Sequence, residues 1–379
     1  MEINVKNSPG DTFRAFYMFF ILGGVQLGVG IMGAPRWIFI QAHQDSWLSI
    51  LISGAAMILV LSVMLLILKQ YDNADILGIQ VDIFGKWLGS FLGIIYILYF
   101  FMANTTILMN YIEIIQVFLY PTLPAYALGF LILTLIIYAL NGGMRTIVGL
   151  TFLFFLISQL LALLLYKPIE LIDWYHFLPM FQSSPIELLK GAKATTFTVL
   201  GFEMLFFLYP FIGDKEKLKR PVFLGILYTT FIVLLVTCIA IGYYSLENLP
   251  YVEWSVLTLY KSISFPFIER LDYIVIMMWI MVVIPANVFL MWCMSHGVQR
   301  LFGLNEKVAM YGIALVTLGI VSFVKSDAAV LESTNWIAKI GFWIAFVYPF
   351  VLLPCVYLKK FIQKKKQQKK GNGGGHDDA

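Results

Sequence analysis

The residues of this chain best suited to chemistry are two groups of glycines and one carboxylate. Gly23, Gly24, Gln26, Gly28, Gly30 and Gly33 crowd together ahead of Pro35-Arg36, and Val199-Leu200-Gly201-Phe202-Glu203 precedes Pro210. Both stretches lie within apolar runs. Glycine costs a helix about 1 kcal/mol relative to alanine, so several close together mark a weak point. Backbone that leaves the helix at membrane depth survives only where protein or a watery cavity satisfies its polar groups. At such a break, unpaired N–H groups present positive partial charge to an anion. Unpaired carbonyls on the other half can hold an ammonium or a cation. A zwitterionic amino acid is the natural occupant, and a neutral polyol can use both sets. The competing reading of the first stretch is close helix packing, because Gly24-xxx-Gly28 fits a small-residue contact motif. Gly85, Gly89 and Gly93 suit that packing reading well.

Glu203 falls near the middle of its apolar run, where a carboxylate costs at least ~2.5 kcal/mol to bury. It is either a functional group, protonated or paired with donors freed by the first break, or one end of a structural hydrogen bond between helices. Tyr96, Phe100 and Asn104 follow one another at spacings of four and line one helical face. With a buried Asn among them they are candidates for a cavity wall, although aromatic residues on membrane helices also face lipid or core. Asn110, Glu113 and Gln116 make a second polar stripe, and Pro285-Ala286-Asn287 combines a kink with a polar group at depth. His43, His176, His296 and His376 have no metal-ligand spacing, and Gly85-Lys86 lacks the flanking residues of a phosphate loop. No nucleophile–base or paired-carboxylate arrangement reads as catalytic, so neither an enzyme, a cofactor nor a metal is expected.

The elements that must position these residues are membrane helices. The 379-residue chain is 60% hydrophobic and 13% charged, about half the charged fraction of soluble domains. Its charges fall between apolar runs near the ~20 residues that cross a bilayer as a helix. Spans are expected near 13–38, 47–68, 88–119, 125–140, 146–165, 188–212, 221–244, 268–297, 308–324 and 335–358. The fold class is therefore all-α and polytopic, with about ten transmembrane helices. Residues 1–12 form a cytoplasmic N-terminal segment, 13–358 the transmembrane domain, and 359–379 a basic, disordered cytoplasmic tail. With both termini inside, 18 of the 26 Lys and Arg residues lie on the cytoplasmic side, as the positive-inside rule requires. The tail's lysines suit anionic lipid or a partner. Cys238, Cys293 and Cys355 sit in apolar runs as small hydrophobes, and the polar N-terminus lacks the basic region of a cleaved signal peptide. The breaks in spans one and six stand at corresponding positions of two five-helix halves, the arrangement that points to a midplane site in inverted-repeat transporters.

The stretch from Gly28-Val29-Gly30-Ile31 to Pro35-Arg36, the segment GFEMLFFLYPFIGDKEK from Gly201, and the ten-span layout with a basic tail resemble the B subunits of GerA-type spore germination receptors. Those subunits belong to the amino acid–polyamine–organocation transporter superfamily. The resemblance implies a five-plus-five inverted repeat with helices 1 and 6 broken, and a multi-pass protein of the spore inner membrane. It implies work alongside an A subunit and a C lipoprotein subunit, sensing a small nutrient germinant such as an amino acid, a sugar or inositol. Carried over by position, the ligand-binding residues would be Gly28, Val29, Gly30, Tyr96, Phe100, Leu200, Gly201, Phe202 and Asn287, with Glu203 and Asn104 as buried polar or coupling groups. Some proton-coupled relatives use a lysine in the fifth span. This chain has Thr151, Ser158 and Gln159 there instead, which counts against ion coupling. Two further readings stand beside the sensor: a proton-coupled amino acid permease acting through Glu203, and a scaffold or channel-forming subunit with a vestigial site.

Overall fold

The computed structural model describes residues 2–6, 10–263, 270–323 and 327–372. Among them the chain is helical almost throughout, with two isolated bridges, Asn4 to Ala74 and Phe13 to Ile212, and no strand. Seven helices are long and apolar enough to cross a membrane. The bent pair Pro185–Ala194 and Thr196–Phe211 makes an eighth. Two shorter apolar helices, Tyr17–Gln26 and Ala125–Asn141, complete the ten expected spans among the described residues.

The first span breaks where its glycines cluster. Tyr17–Gln26 ends at Leu27, Gly28 turns to φ −54° and ψ −142°, a short 3-10 turn covers Val29–Met32, and the helix resumes over Ala34–Ala42. Pro35 lies in the first turn of that second half, where its missing N–H has no helical partner to lose. The sixth span breaks in the same manner. Ser184 and Glu187 form a reciprocal capping box at the start of Pro185–Ala194. After Thr196–Val199 the backbone becomes extended at Leu200 and left-handed at Gly201, φ +117°. A separate bend of 47° lies earlier in this span, between Pro185–Ala194 and Thr196–Phe211.

Both readings of the glycines hold, each at its own positions. A side chain on Gly23 would meet the Phe155 ring at 2.7 Å, so this glycine serves packing against the fifth span. Gly28 has only a backbone carbonyl at 3.7 Å beside it and belongs to the break. In the third span, Ile76–Phe118, Gly85 is itself a kink with φ +81°. The nine residues before it fold back, so that a Cβ on Gly89 would meet Val81 Cα at 2.6 Å.

The third and eighth spans pack along each other beside the two breaks, and Phe202, Phe206, Phe207 and Phe289 are fully buried. The fourth, fifth and ninth spans leave Leu131, Leu153 and Leu315 exposed around the rim. Lipid tails are as apolar as these side chains, so close packing rather than hydrophobicity holds such helices together.

The chain's beginning is fastened across one end of the bundle. Val5 donates its N–H to the Asn73 carbonyl at 2.8 Å, Phe13 to Phe211 at 2.9 Å, and Gly213 back to Phe13 at 2.9 Å. Lys215, Arg300 and Lys359 make their contacts at the same end, with Asn73, Asp75 and Asp82. The basic segment expected as a disordered tail from 359 continues the last helix, Tyr348–Asn372. A helix already built to residue 358 propagates into the lysines more easily than one nucleates there. Residues 373–379 lie outside those described.

Candidate functional site

The two breaks meet. A Cβ on Gly30 would stand 2.9 Å from Thr198 Cα, and one on Gly201 would stand 2.6 Å from Val25 Cγ1. The glycines therefore serve close approach as much as flexibility: only bare backbone lets one unwound segment lie against the other. Between them is a central cavity of about 30 Å³, walled by both breaks and by residues of the third and eighth spans. On that measure a water needs roughly 10–15 Å³, so the cavity admits about two waters and is too small for any amino acid.

Of the residues expected at a ligand site, Gly28, Val29, Gly30, Leu200, Gly201 and Glu203 line this cavity. Tyr96, Phe100, Phe202, Asn104 and Asn287 do not. Tyr96 and Phe100 turn instead into an aromatic cluster with Phe207, at 6.0 and 5.3 Å between ring centres, and Tyr96 also meets Tyr348. Phe202 packs edge-on against Phe346. Asn287 donates to the Val283 carbonyl at 2.9 Å, the preceding turn of its own helix. Asn104 is fully buried, and its side-chain amide meets no hydrogen-bond partner. The third span faces the cavity with Tyr99, Ala103 and Ile107, a set with the same spacing of four turned ~60° round the helix. Ala286 and Leu290 represent the eighth span. Spacing along a sequence does not choose between adjacent faces of one helix.

Polar groups freed by the breaks are taken up by the protein's own side chains. Glu203 is buried, and its two oxygens divide their work: Oε1 accepts from the Tyr99 hydroxyl at 2.6 Å, and Oε2 accepts from the Gly201 N–H at 2.8 Å. The carboxylate thus caps the break in its own span and ties it to the third. Gln26, also buried, donates through Nε2 to the Val199 carbonyl at 2.5 Å and accepts at Oε1 from the Thr229 hydroxyl at 3.0 Å. The Trp279 indole N–H reaches the Gly28 carbonyl at 3.4 Å. Gln26 was visible in the sequence among the glycines, yet its role depends on Val199, which is 173 residues away.

A second, wider cavity of about 400 Å³ adjoins the first, and Gly30 and Phe197 belong to the walls of both. Its lining includes Lys190, Lys193, Glu113, Glu253 and Asp327. Among the described residues no group of three or more His, Cys, Asp or Glu is placed to hold a metal ion.

This architecture of two opposed broken helices has known counterparts. A family model described as spore germination protein matches residues 12–330. The chain belongs to that family. Similar proteins include spore germination protein GerQB of Bacillus cereus, 29% identical over 343 residues and covering 90% of this chain and 94% of that one. Spore germination proteins YndE and A2 of Bacillus subtilis (strain 168) are 23% and 24% identical, each over 91% of this chain. Among solved structures, a substrate-bound, outward-open Na+-coupled sialic acid symporter superposes with a TM-score of 0.61, covering 92% of this chain and 77% of that one, at 12% identity. At that identity the likeness establishes a shared transporter fold. This member of the spore germination family is thus a polytopic membrane protein with a transporter-like fold.

Proposed function

We propose that this chain is the ligand-sensing subunit of a germinant receptor, binding a small nutrient, in the first instance an amino acid, between its two broken helices. The observation that carries the reading is the meeting of the breaks around the central cavity, with Glu203 and Gln26 occupying the backbone groups that a ligand would use. A carboxylate already sits on the Gly201 N–H, and an amide N–H already sits on the Val199 carbonyl. A ligand's carboxylate and ammonium offer the same two chemistries. Because the cavity holds about two waters, binding requires the breaks to part and these side chains to yield. That gives ligand binding a direct mechanical consequence at Tyr99 on the third span and Thr229 on the seventh, which a receptor can transmit.

On this reading the protein resides in the spore inner membrane with both termini on the core side and acts with an A subunit and a C lipoprotein. The residue counts that place Lys215, Arg300 and the basic tail together on one side support that orientation. The wide cavity then opens outward.

The test is germination of spores whose only nutrient receptor contains this chain, followed as loss of optical density against a panel of amino acids, sugars and nucleosides. Response to one or a few small nutrients is expected. Gly30→Leu, which would drive its side chain into Thr198 and Phe197, should abolish the response while the protein still reaches the membrane. Unchanged sensitivity would remove the site from between the breaks. The second reading, a proton-coupled amino acid permease, draws on Glu203 as a fully buried carboxylate at the break. Uptake of radiolabelled amino acids into liposomes separates the two, since saturable accumulation favours the permease.

A further inference from the structure

The central cavity offers a ligand backbone dipoles but no unengaged charged side chain. Its one ionisable carboxylate, Glu203, is already engaged by Tyr99 and Gly201, and the rest of its wall is apolar side chains, backbone and Gln26. The wide cavity is the reverse. Lys190 and Lys193 line it, facing a lining that also contains Glu113, Glu253 and Asp327. None of these five forms an ion pair among the described residues, and the Lys193 ammonium lies 5.1 Å above the Phe342 ring. The charges are supplied by four separate parts of the chain: the helix before the sixth-span break, the third span, the loop after the seventh, and the start of the last.

We propose that the wide cavity is a distinct recognition site for a zwitterionic amino acid, in which Lys190 and Lys193 receive the carboxylate and Glu113, Glu253 and Asp327 receive the ammonium. The proposal rests on the nutrient-binding reading above and deepens it by naming the ligand class and the place where charge is read. Size agrees with the assignment, because about 400 Å³ lies within the range of ~300–1,000 Å³ typical of small-molecule sites. The indoles of Trp37 and Trp254 offer apolar surface in the same cavity. The wall shared at Gly30 and Phe197 makes it an antechamber: a ligand held there is one residue's thickness from the breaks. Charges of both signs in one cavity wall also concentrate a dipolar ligand before it meets the inner site.

The experiment is binding to the purified full-length protein in nanodiscs, by isothermal calorimetry, with four sets of probes. These are the common L-amino acids, the amides of those that bind, their desamino acids, and myo-inositol. At least one amino acid should bind, and its amide and its desamino acid should each bind at least tenfold more weakly. Lys190→Gln with Lys193→Gln should weaken the amino acid and the desamino acid about tenfold and leave the amide unchanged. Glu113→Gln with Asp327→Asn should weaken the amino acid and the amide and leave the desamino acid unchanged. Equal losses for all three probes, or no loss, would overturn the assignment. Binding of myo-inositol without any amino acid would overturn it as well. Ala103→Phe, which fills the central cavity from the third span, keeps the two readings apart. If that variant abolishes binding while the charge variants leave it intact, the central site stands and the antechamber falls. If no probe binds the unaltered protein, the nutrient reading falls with it.

Discussion

The two ends of the bundle treat charge in opposite ways. At the end where the chain begins, the most deeply buried charge is paired and spent on structure, beside a cavity of about 380 Å³ whose wall includes Glu306 and Lys307. Asp75 is fully buried, accepts from Arg300 Nε at 3.0 Å and Nη2 at 3.2 Å, and caps the third span through the Gly78 N–H at 2.7 Å. His296, stacked 5.0 Å from Trp292, places Nε2 3.6 Å from the same carboxylate. Arg300 also reaches the carbonyls of Glu2 and Ile3 at 3.0 and 3.3 Å, pinning the chain's beginning to the eighth span. At the opposite end five charged side chains share a cavity and form no ion pair among the described residues. Paired, buried charge makes a fixed lock; unpaired charge around a cavity makes a place for something to bind.

The largest effect should come from breaking the lock. Removing one partner of a buried ion pair leaves an uncompensated charge and costs about 3–5 kcal/mol. Arg300→Ala should therefore lower the unfolding temperature of the detergent-solubilised protein more than any change in the wide cavity. Acid should act in the same direction. Burial works to raise the Asp75 carboxyl, but the neighbouring His296 ring and the hydrogen-bonded charge of Arg300 outweigh it and hold the group below its ordinary value. A group lowered in the folded state contributes stability above its unfolded pKa and loses it as pH falls through the folded one. Unfolding temperature should thus drop on acidification through and below the ordinary carboxylate range. This acid loss should be smaller in Asp75→Asn, and a variant that keeps the full loss would assign it to other carboxylates.

Glu203 tests the middle of the molecule, where the proposed binding would use the same atoms that hold the structure. Glu203→Ala leaves the Gly201 N–H and the Tyr99 hydroxyl buried without their acceptor, at about 1–3 kcal/mol for each such group. Glu203→Gln has the same shape, and its amide can accept from Gly201 while donating to the tyrosine oxygen. The alanine variant should accumulate poorly and the glutamine variant near normally, both read by membrane immunoblot. Equal loss in both would mean that the negative charge itself, and not the hydrogen-bonding shape, holds the break.

How much of this was legible beforehand depends on the range of the interactions. The breaks were, because Gly28, Gly30 and Gly201 weaken a helix locally and Pro35 restarts one. The ten-span layout was, because apolar run length is a local property too. The partners were not. Nothing near Gln26 in sequence announces the Val199 carbonyl, and nothing near His296, read as an unremarkable histidine, announces Asp75. The third span shows the limit most plainly. Tyr96, Phe100, Asn104 and Tyr99, Ala103, Ile107 are both evenly spaced rows, and only the packing of the sixth span beside them decides which row meets the cavity. The continuation of the last helix into the lysines was missed because composition suggested solvated coil, while the helix needed no new nucleus to extend.

The smallest expected effect is the one that bears hardest on the contrast between the ends. Charges that await a ligand should contribute little to folding, whereas charges that build the lock contribute much. Surface substitutions away from structural features stay within about 0.5 kcal/mol. Lys190 and Lys193 are exposed, and neither forms an ion pair among the described residues. The double variant Lys190→Gln, Lys193→Gln should therefore unfold within about a degree or two of the unaltered protein when no nutrient is present. A clear destabilisation would place these lysines in the same structural class as Arg300, and the two ends of the molecule would no longer differ in kind. An unchanged unfolding temperature together with a changed response to nutrient would leave ligand capture as the work those charges do.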